Sequence, residues 1–419
     1  MIKTEDIDGF FATSESLNLE NYLLFDYIFE TSLDPRLTAA SLCSEQSTAQ
    51  WRRQGSDEDL RIRFGAKTLS LEIMGKVDGL TQCRVRIAHP HTNFGPRIPN
   101  ILSAMAGEGA FYCPGIKSLR IVDIHFPNSF LKNFEGPRLG VDGLRISLNV
   151  QDRPFFIGVV KPNIGLSPKD FAQLAYQSWL GGLDIAKDDE MLANIEWSPL
   201  KQRMEESGRL KLLAEKETGK PKMILANLTD EIDVIGELYQ ESKMAGANGV
   251  MLNSFFVGFS ALRALRKISD LPLFGHFTGQ AIFDRAKDHG IDGVVLVKLQ
   301  RLAGCDAIIM PGFGERMHAS DESVLKNVKA CLDPMGSLLP SLPIPGGSDW
   351  AGTLPLLFEK IGHADFGFIS GRGVFNHPSG PKAGAESLHE AWEAIIKKIS
   401  LEEYAKNHQS LREAMDAFR

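Results

Sequence analysis

The chain has 419 residues, 43% hydrophobic and 24% charged, which is enough to bury a sizeable core and more than one domain. A formal net charge of −7 argues against a general nucleic-acid or acidic-membrane binder, because such proteins carry a basic surface to meet phosphates, although a local basic pocket for a small phosphorylated ligand is compatible with it. No apolar run approaches the roughly 18 residues that span a bilayer, and the start MIKTEDIDGF lacks a basic-then-apolar export signal, so no membrane partner and a cytoplasmic location are expected.

Along residues 1–145 strands and short helices are mixed. LENYLLFDYIFET reads as a strand, TLSLEIMGKVDGLTQCRVRIAHP as two strands about a Gly turn, RIPNILSAMAGEG as a short helix and KSLRIVDIHFP as a further strand. The expectation is an α+β N-terminal domain, with the Gly- and Pro-rich NFEGPRLGVDGLRISLNVQDRP as a connector. Cys43, Cys83, Cys113, Cys305 and Cys331 are widely scattered without a C-x-x-C pair, so buried thiols are expected, not a disulfide framework or a zinc site.

Residues 146–419 have a regular alternation. Strand-like runs occur at 155–162, 182–189, 222–229, 249–255, 271–279, 306–312, 339–347 and 365–373, separated by segments of helical length such as SPKDFAQLAYQSWLGG. Eight strand signals, each followed by a helix signal, predict a (β/α)8 TIM barrel. A doubly wound open sheet is the competing reading, but no G-x-G-x-x-G follows the first strand.

Barrel chemistry sits at the C-terminal ends of the strands. The first run ends in Lys161-Pro162-Asn163 and the second in Lys187-Asp188-Asp189-Glu190. Strand alternation places Lys187 and Asp189 on one side, with Glu190 at the turn beyond. Two adjacent carboxylates meet part of the oxygen-ligand demand of Mg²⁺, whereas an ammonium at Lys187 repels a cation and must be modified or act as an ion-pair partner. Taken alone such a run reads as a solvated turn; at a barrel strand end it reads as a site. The fifth run offers His276 for substrate contact or proton movement. The seventh and eighth end in Gly346-Gly347-Ser348 and Gly371-Arg372-Gly373, whose backbone N–H groups suit a phosphate cradle, with Arg372 as a charge-assisted donor; tight turns are the alternative for each.

These residues carry a family resemblance. GVVKPNIGLSPKDFAQLAYQSWLGGLDIAKDDEML (158–192) resembles the first βαβ unit of the RuBisCO large-subunit superfamily, and SEQSTAQW (44–51), FTGQAIFDR (277–285) and GVFNHPSGPKAGA (373–385) resemble further segments in the same order. The resemblance implies that Lys187 is carbamylated by CO₂ and, with Asp189 and Glu190, holds Mg²⁺. It implies that Lys161 handles protons and polarises an enediolate, that His276 contacts substrate hydroxyls, and that Gly347, Gly371 and Gly373 lie in phosphate-binding turns. Glu45, Gln50 and Trp51 match a segment that reaches the neighbouring subunit's active site, which implies a homodimer with shared sites, with higher assembly left open.

The sequence also departs from the carboxylating members. Asn163 stands where they have a second lysine, Phe277 where they have an arginine, and IIMPGFGERMHAS lacks the histidine and flexible-loop lysine that follow their sixth strand. The chain therefore resembles the RuBisCO-like proteins, which form or stabilise enolates on phosphorylated sugar-like substrates without fixing CO₂. Its K-P-N and K-D-D-E are similar to those of members that decarboxylate a 3-oxo acid phosphate (3-oxo-isoapionate 4-phosphate). Three rivals stand beside this: the methionine-salvage enolase acting on a phosphorylated 2,3-diketone with a methylthio group, a transcarboxylase or hydrolase on the same 3-oxo acid phosphate, and a non-catalytic scaffold.

Overall fold

A computed structural model describes residues 4–49, 55, 57 and 59–419. The described residues contain thirteen strands: β1 (Tyr22–Thr31), β2 (Lys67–Val77), β3 (Leu80–Pro90), β4 (Ile116–His125), β5 (Phe155–Val159), β6 (Ile185–Lys187), β7 (Met223–Asn227), β8 (Gly249–Asn253), β9 (Leu273–His276), β10 (Gly290–Ile291), β11 (Ala307–Pro311), β12 (Leu342–Gly346) and β13 (Gly367–Ser370). They belong to two compact units that are not separated by a single cut along the chain. One comprises Met1–Glu135, Gln280–Leu302 and Pro334–Leu338; the other comprises Gly136–Gly279, Ala303–Asp333 and Leu339–Arg419.

In the first unit the strands pair in the order β10-β4-β1-β3-β2. Period-2 alternation puts Leu23, Phe25, Tyr27 and Phe29 of β1 in the core, all fully buried. The expected hairpin is β2–β3, joined at Asp78-Gly79, which both have positive φ (49° and 81°) as a two-residue turn matched to strand twist requires. The expected helix is Ile98–Met105, which buries Ile98, Ile101 and Met105. After the fifth barrel strand comes a short helix, Gln280–Asp284, and β10 then pairs in parallel with β4.

In the second unit eight parallel strands pair in the order β12-β11-β9-β8-β7-β6-β5-β13. Gly367 of β13 lies so close to β12 that an added Cβ would meet Ile344 at 2.8 Å, which brings the two ends of the order together as a barrel. Alternate residues fill the interior, among them Phe155, Ile157, Leu225, Phe274, Ile309 and Ile344. Helices such as Pro168–Leu180, Leu200–Thr218 and Ile235–Met244 lie between successive strands. Pro168 at the first helical position and Ser167, whose side chain accepts from Asp170 N, start the first of these as their residue types favour.

The segment read as a connector is corrected by the structure: it contains a helix, Gly140–Leu148. Val141, Leu144 and Leu148 recur at helical spacing and pack into the barrel's hydrophobic cluster beside Phe155 and Ile157. Asp306 Oδ1 accepts the backbone N–H groups of Leu139 and Gly140 at 2.6 and 3.1 Å, which satisfies donors at the start of this helix.

All five cysteines are buried and free, as expected. No helix among the described residues is long and apolar enough to cross a membrane.

Candidate active site

The end of β6 sorts its four polar residues by alternation. Asp188 points away from the barrel interior and takes the Arg203 guanidinium, with Nε at 2.8 Å from Oδ1 and Nη2 at 3.1 Å from Oδ2; neither side chain is exposed. Asp188 Oδ2 also accepts Asn227 N at 3.0 Å, while Arg203 donates to the carbonyls of Ser198 and Ala193. This pair fixes the strand end from behind.

Lys187 lies on the opposite side, fully buried, and its Nζ has no hydrogen-bond partner among the described residues. Burial holds its pKa below the usual lysine value, with Lys161 acting in the same direction and Glu190, Asp189 and Asp188 opposing. Asp189 is also buried. Its Oδ2 sits 2.7 Å from Lys161 Nζ, and its Oδ1 accepts Met191 N at 3.1 Å. Lys161 in turn donates to Asn163 Oδ1 at 2.6 Å, so the two polar groups after β5 and Asp189 of the β6 turn form one network.

Glu190 brings its Oε2 to 3.6 Å from His276 Nε2. His276 Nδ1 receives the backbone N–H of Thr278 at 3.1 Å and lies 2.6 Å from Thr278 Oγ1, contacts that assign Nδ1 as the acceptor and the proton of the neutral ring to Nε2. Burial, and then the charges of Lys187 and Lys161, hold the imidazole well below its usual pKa, so the neutral ring is the form at neutral pH. The Phe277 ring stacks on it at 4.9 Å.

Two asparagines that the sequence reading did not single out shape this turn. Asn227 Nδ2 lies within 3.2–3.3 Å of the carbonyls of Asp189, Glu190 and Leu192, and Asn253 Nδ2 donates to Glu190 O at 2.9 Å. A polar residue closing each of the apolar runs MILAN and GVMLN was the signal that would have found them.

A cavity of about 230 Å³ opens among Lys161, Glu190, His276, Gly346, Gly347 and Gly371, with Arg372 also on its wall. Gly373 is not on this wall; an added Cβ there would meet Trp350 Cβ at 2.6 Å, so the residue is a glycine for packing. Arg372 is exposed and lies over the Phe418 ring at 5.2 Å. Two further wall residues were missed by the sequence reading: Arg316, from the turn after β11, which donates to Ser348 Oγ, and Asp349, from the turn after β12. Glu45 ends the helix Pro35–Glu45 and is exposed, while Gln50 and Trp51 lie outside the described residues.

A second group of acidic and imidazole side chains, Asp26, Asp123 and His125, lies together in the first unit. Its acids already have cations: Arg86 grips Asp26 through two bonds of 2.6 Å, and Lys298 meets Asp123 at 2.5 Å.

Comparison with known proteins accounts for this arrangement. The family described as ribulose bisphosphate carboxylase large chain, catalytic domain, matches residues 140–418, and the corresponding N-terminal domain matches residues 19–130. The chain belongs to the RuBisCO large-chain family. It is 55% identical to a ribulose bisphosphate carboxylase-like protein of Allochromatium vinosum over 99% of this chain and 93% of the relative. It is 51% identical to one of Chlorobaculum tepidum over 99% of this chain and 98% of the relative. These likenesses place it among the RuBisCO-like members, apart from the carboxylases. Among solved structures, octameric ribulose-1,5-bisphosphate carboxylase/oxygenase from Pyrococcus horikoshii OT3 superposes with a TM-score of 0.91 at 30% identity, covering 98% of this chain and 96% of that one.

Proposed function

We propose that the chain is a Mg²⁺-dependent enzyme that stabilises an enolate on a phosphorylated sugar acid, by decarboxylation of a 3-oxo acid phosphate of the 3-oxo-isoapionate 4-phosphate type, without fixing CO₂. One observation supports the choice of decarboxylation: Lys161 and His276, both able to donate a proton, line the same cavity. Lys161 is ion-paired with Asp189 at 2.7 Å, and the neutral His276 carries its proton on Nε2. Loss of CO₂ from a β-keto acid leaves an enolate that needs a proton and hydrogen-bond donors, whereas tautomerising a diketone needs a base at carbon.

The metal reading rests on Lys187. A buried amine without a partner among the described residues, with its pKa lowered by burial, favours the neutral nucleophile that adds CO₂, and the resulting carbamate would present oxygens beside Asp189 and Glu190. Mg²⁺ on these three residues would supply Lewis-acid stabilisation of the negative charge that develops on the substrate oxygens. Lys161 then delivers a proton to the enolate, His276 donates to a substrate hydroxyl, and Arg316 and Arg372 attract the phosphate. A homodimer with shared active sites, and assembly beyond it, belongs to the same reading; the octameric state of the Pyrococcus horikoshii relative supports it.

The test is CO₂ release from phosphorylated 3-oxo acids with Mg²⁺ and bicarbonate present, run beside solvent-proton exchange on a phosphorylated 2,3-diketone. Metal-dependent CO₂ release without exchange is expected. Exchange without CO₂ release would replace the decarboxylase reading with the enolase one.

A further inference from the structure

The turn after β12 carries a glycine pair of the kind that cradles phosphate, yet its donor is already engaged. Gly347 N–H donates to Asp349 Oδ2 at 3.0 Å, and Asp349 Oδ1 accepts Thr353 Oγ1 at 3.1 Å. Asp349 is 6% exposed, lines the same cavity as Lys161 and His276, and is anchored through its backbone carbonyl, which accepts Ser370 Oγ at 2.7 Å.

The glycine itself has a packing reason. A Cβ on Gly347 would meet Met317 Cγ at 2.7 Å and Phe313 O at 3.4 Å, so the turn after β11 lies directly against it. A phosphate approaching Gly347 N–H would have to displace a buried carboxylate or share its donor with one, and two anions on one N–H repel each other strongly in a cavity of low dielectric.

What this turn offers instead is acceptor capacity. A carboxylate has about four lone-pair sites, of which Gly347 N–H and Thr353 Oγ1 use two. A ligand hydroxyl entering the cavity fits the remainder. Of the cations on the wall, Lys161 is held by Asp189 at 2.7 Å, while Arg316 and Arg372 come from the turns after β11 and β13 and offer side chains for anion binding.

We propose that Asp349 is a specificity-determining residue that converts the turn after β12 from a phosphate cradle into an acceptor subsite for a ligand hydroxyl, so that phosphate binds on Arg316 and Arg372 and is rejected at Gly347. The inference rests on the proposed reading only in taking the ligand to be a phosphorylated, hydroxylated compound. Burial pushes the Asp349 carboxyl up to about 6, which leaves it ionised at pH 8.

The test is calorimetric titration of inorganic phosphate into the full-length protein at pH 8 without Mg²⁺, so that its result is independent of turnover, metal and carbamate. Asp349→Asn and Asp349→Ser are each expected to bind phosphate at least tenfold more tightly than the wild type. Variants that bind no more tightly overturn the proposal. A phosphate-soaked crystal of the wild type decides the matter even if neither variant folds. An anion on the guanidinium groups, with Gly347 N–H still on Asp349, supports it; an anion on Gly347 N–H refutes it.

Discussion

Asp188 and Arg203 meet through two hydrogen bonds of 2.8 and 3.1 Å with both side chains closed to solvent, and this pair lies within the same strand end as Lys187, Asp189 and the cavity-lining Glu190. Removing one partner of such a pair leaves a buried charge without compensation. Arg203→Met is therefore expected to destabilise the barrel unit by about 3–5 kcal/mol. Adding Asp188→Asn should recover part of that loss, because a neutral amide needs no cation. Urea unfolding of the two variants checks this; a cost for Arg203→Met below about 1 kcal/mol would mean that the pair does not anchor the strand end.

Lys187 leads to a spectroscopic prediction. Its Nζ has no partner among the described residues and burial lowers its pKa, so the neutral amine is more accessible than for an exposed lysine. With ¹³CO₂ and Mg²⁺ the wild type is expected to give a carbamate carbon resonance, and Lys187→Ala to lose both that resonance and metal-dependent turnover. A resonance that persists in the variant would assign the modification to another amine.

Asn227 reaches the carbonyls of Asp189, Glu190 and Leu192 in the turn that contains the two acids, whereas Asn253 holds one. If those acids take a metal, Asn227→Ala should weaken Mg²⁺ binding about 10–100-fold, and Asn253→Ala should weaken it less. Metal titration by calorimetry ranks the two. Equal affinities in Asn227→Ala and wild type would show that the turn keeps its shape without that side chain.

How much of this was legible depended on how local the signal is. The eight barrel strands are apolar runs with polar ends, and alternation alone separates Lys187 and Asp189 from Asp188. The helix Gly140–Leu148 was hidden because flanking Gly and Pro residues masked the spacing of Val141, Leu144 and Leu148. β10 is two residues long, too short to have a period, and its place is set by pairing with β4, distant in sequence. The roles of Asn227 and Arg316 arise from turns brought together only when neighbouring strands pair, Arg316 reaching Ser348 across 32 residues. Asp349 was overlooked for another reason. The adjacent Gly346-Gly347 pair already had an explanation as a phosphate cradle, and nothing in sequence distinguishes a glycine that admits phosphate from one that admits Met317.

Asp349 also makes stability depend on pH in a calculable direction. Burial raises its carboxyl from 3.8 to about 6, only partly offset by the donors Gly347 N–H and Thr353 Oγ1. The folded protein therefore binds this proton more tightly than the unfolded chain does. The stabilising contribution is complete below pH 3.8, declines as pH rises, and is lost above about 6. The difference corresponds to about 3 kcal/mol at most. Asp349→Asn removes the ionisation, so its stability relative to wild type is expected to rise between pH 4 and pH 7 by up to that amount. Thermal unfolding of both proteins across this range measures it. A difference in melting temperature that stays constant with pH would mean that Asp349 titrates like an exposed carboxylate, and its place as a buried acceptor in the cavity wall would have to be abandoned.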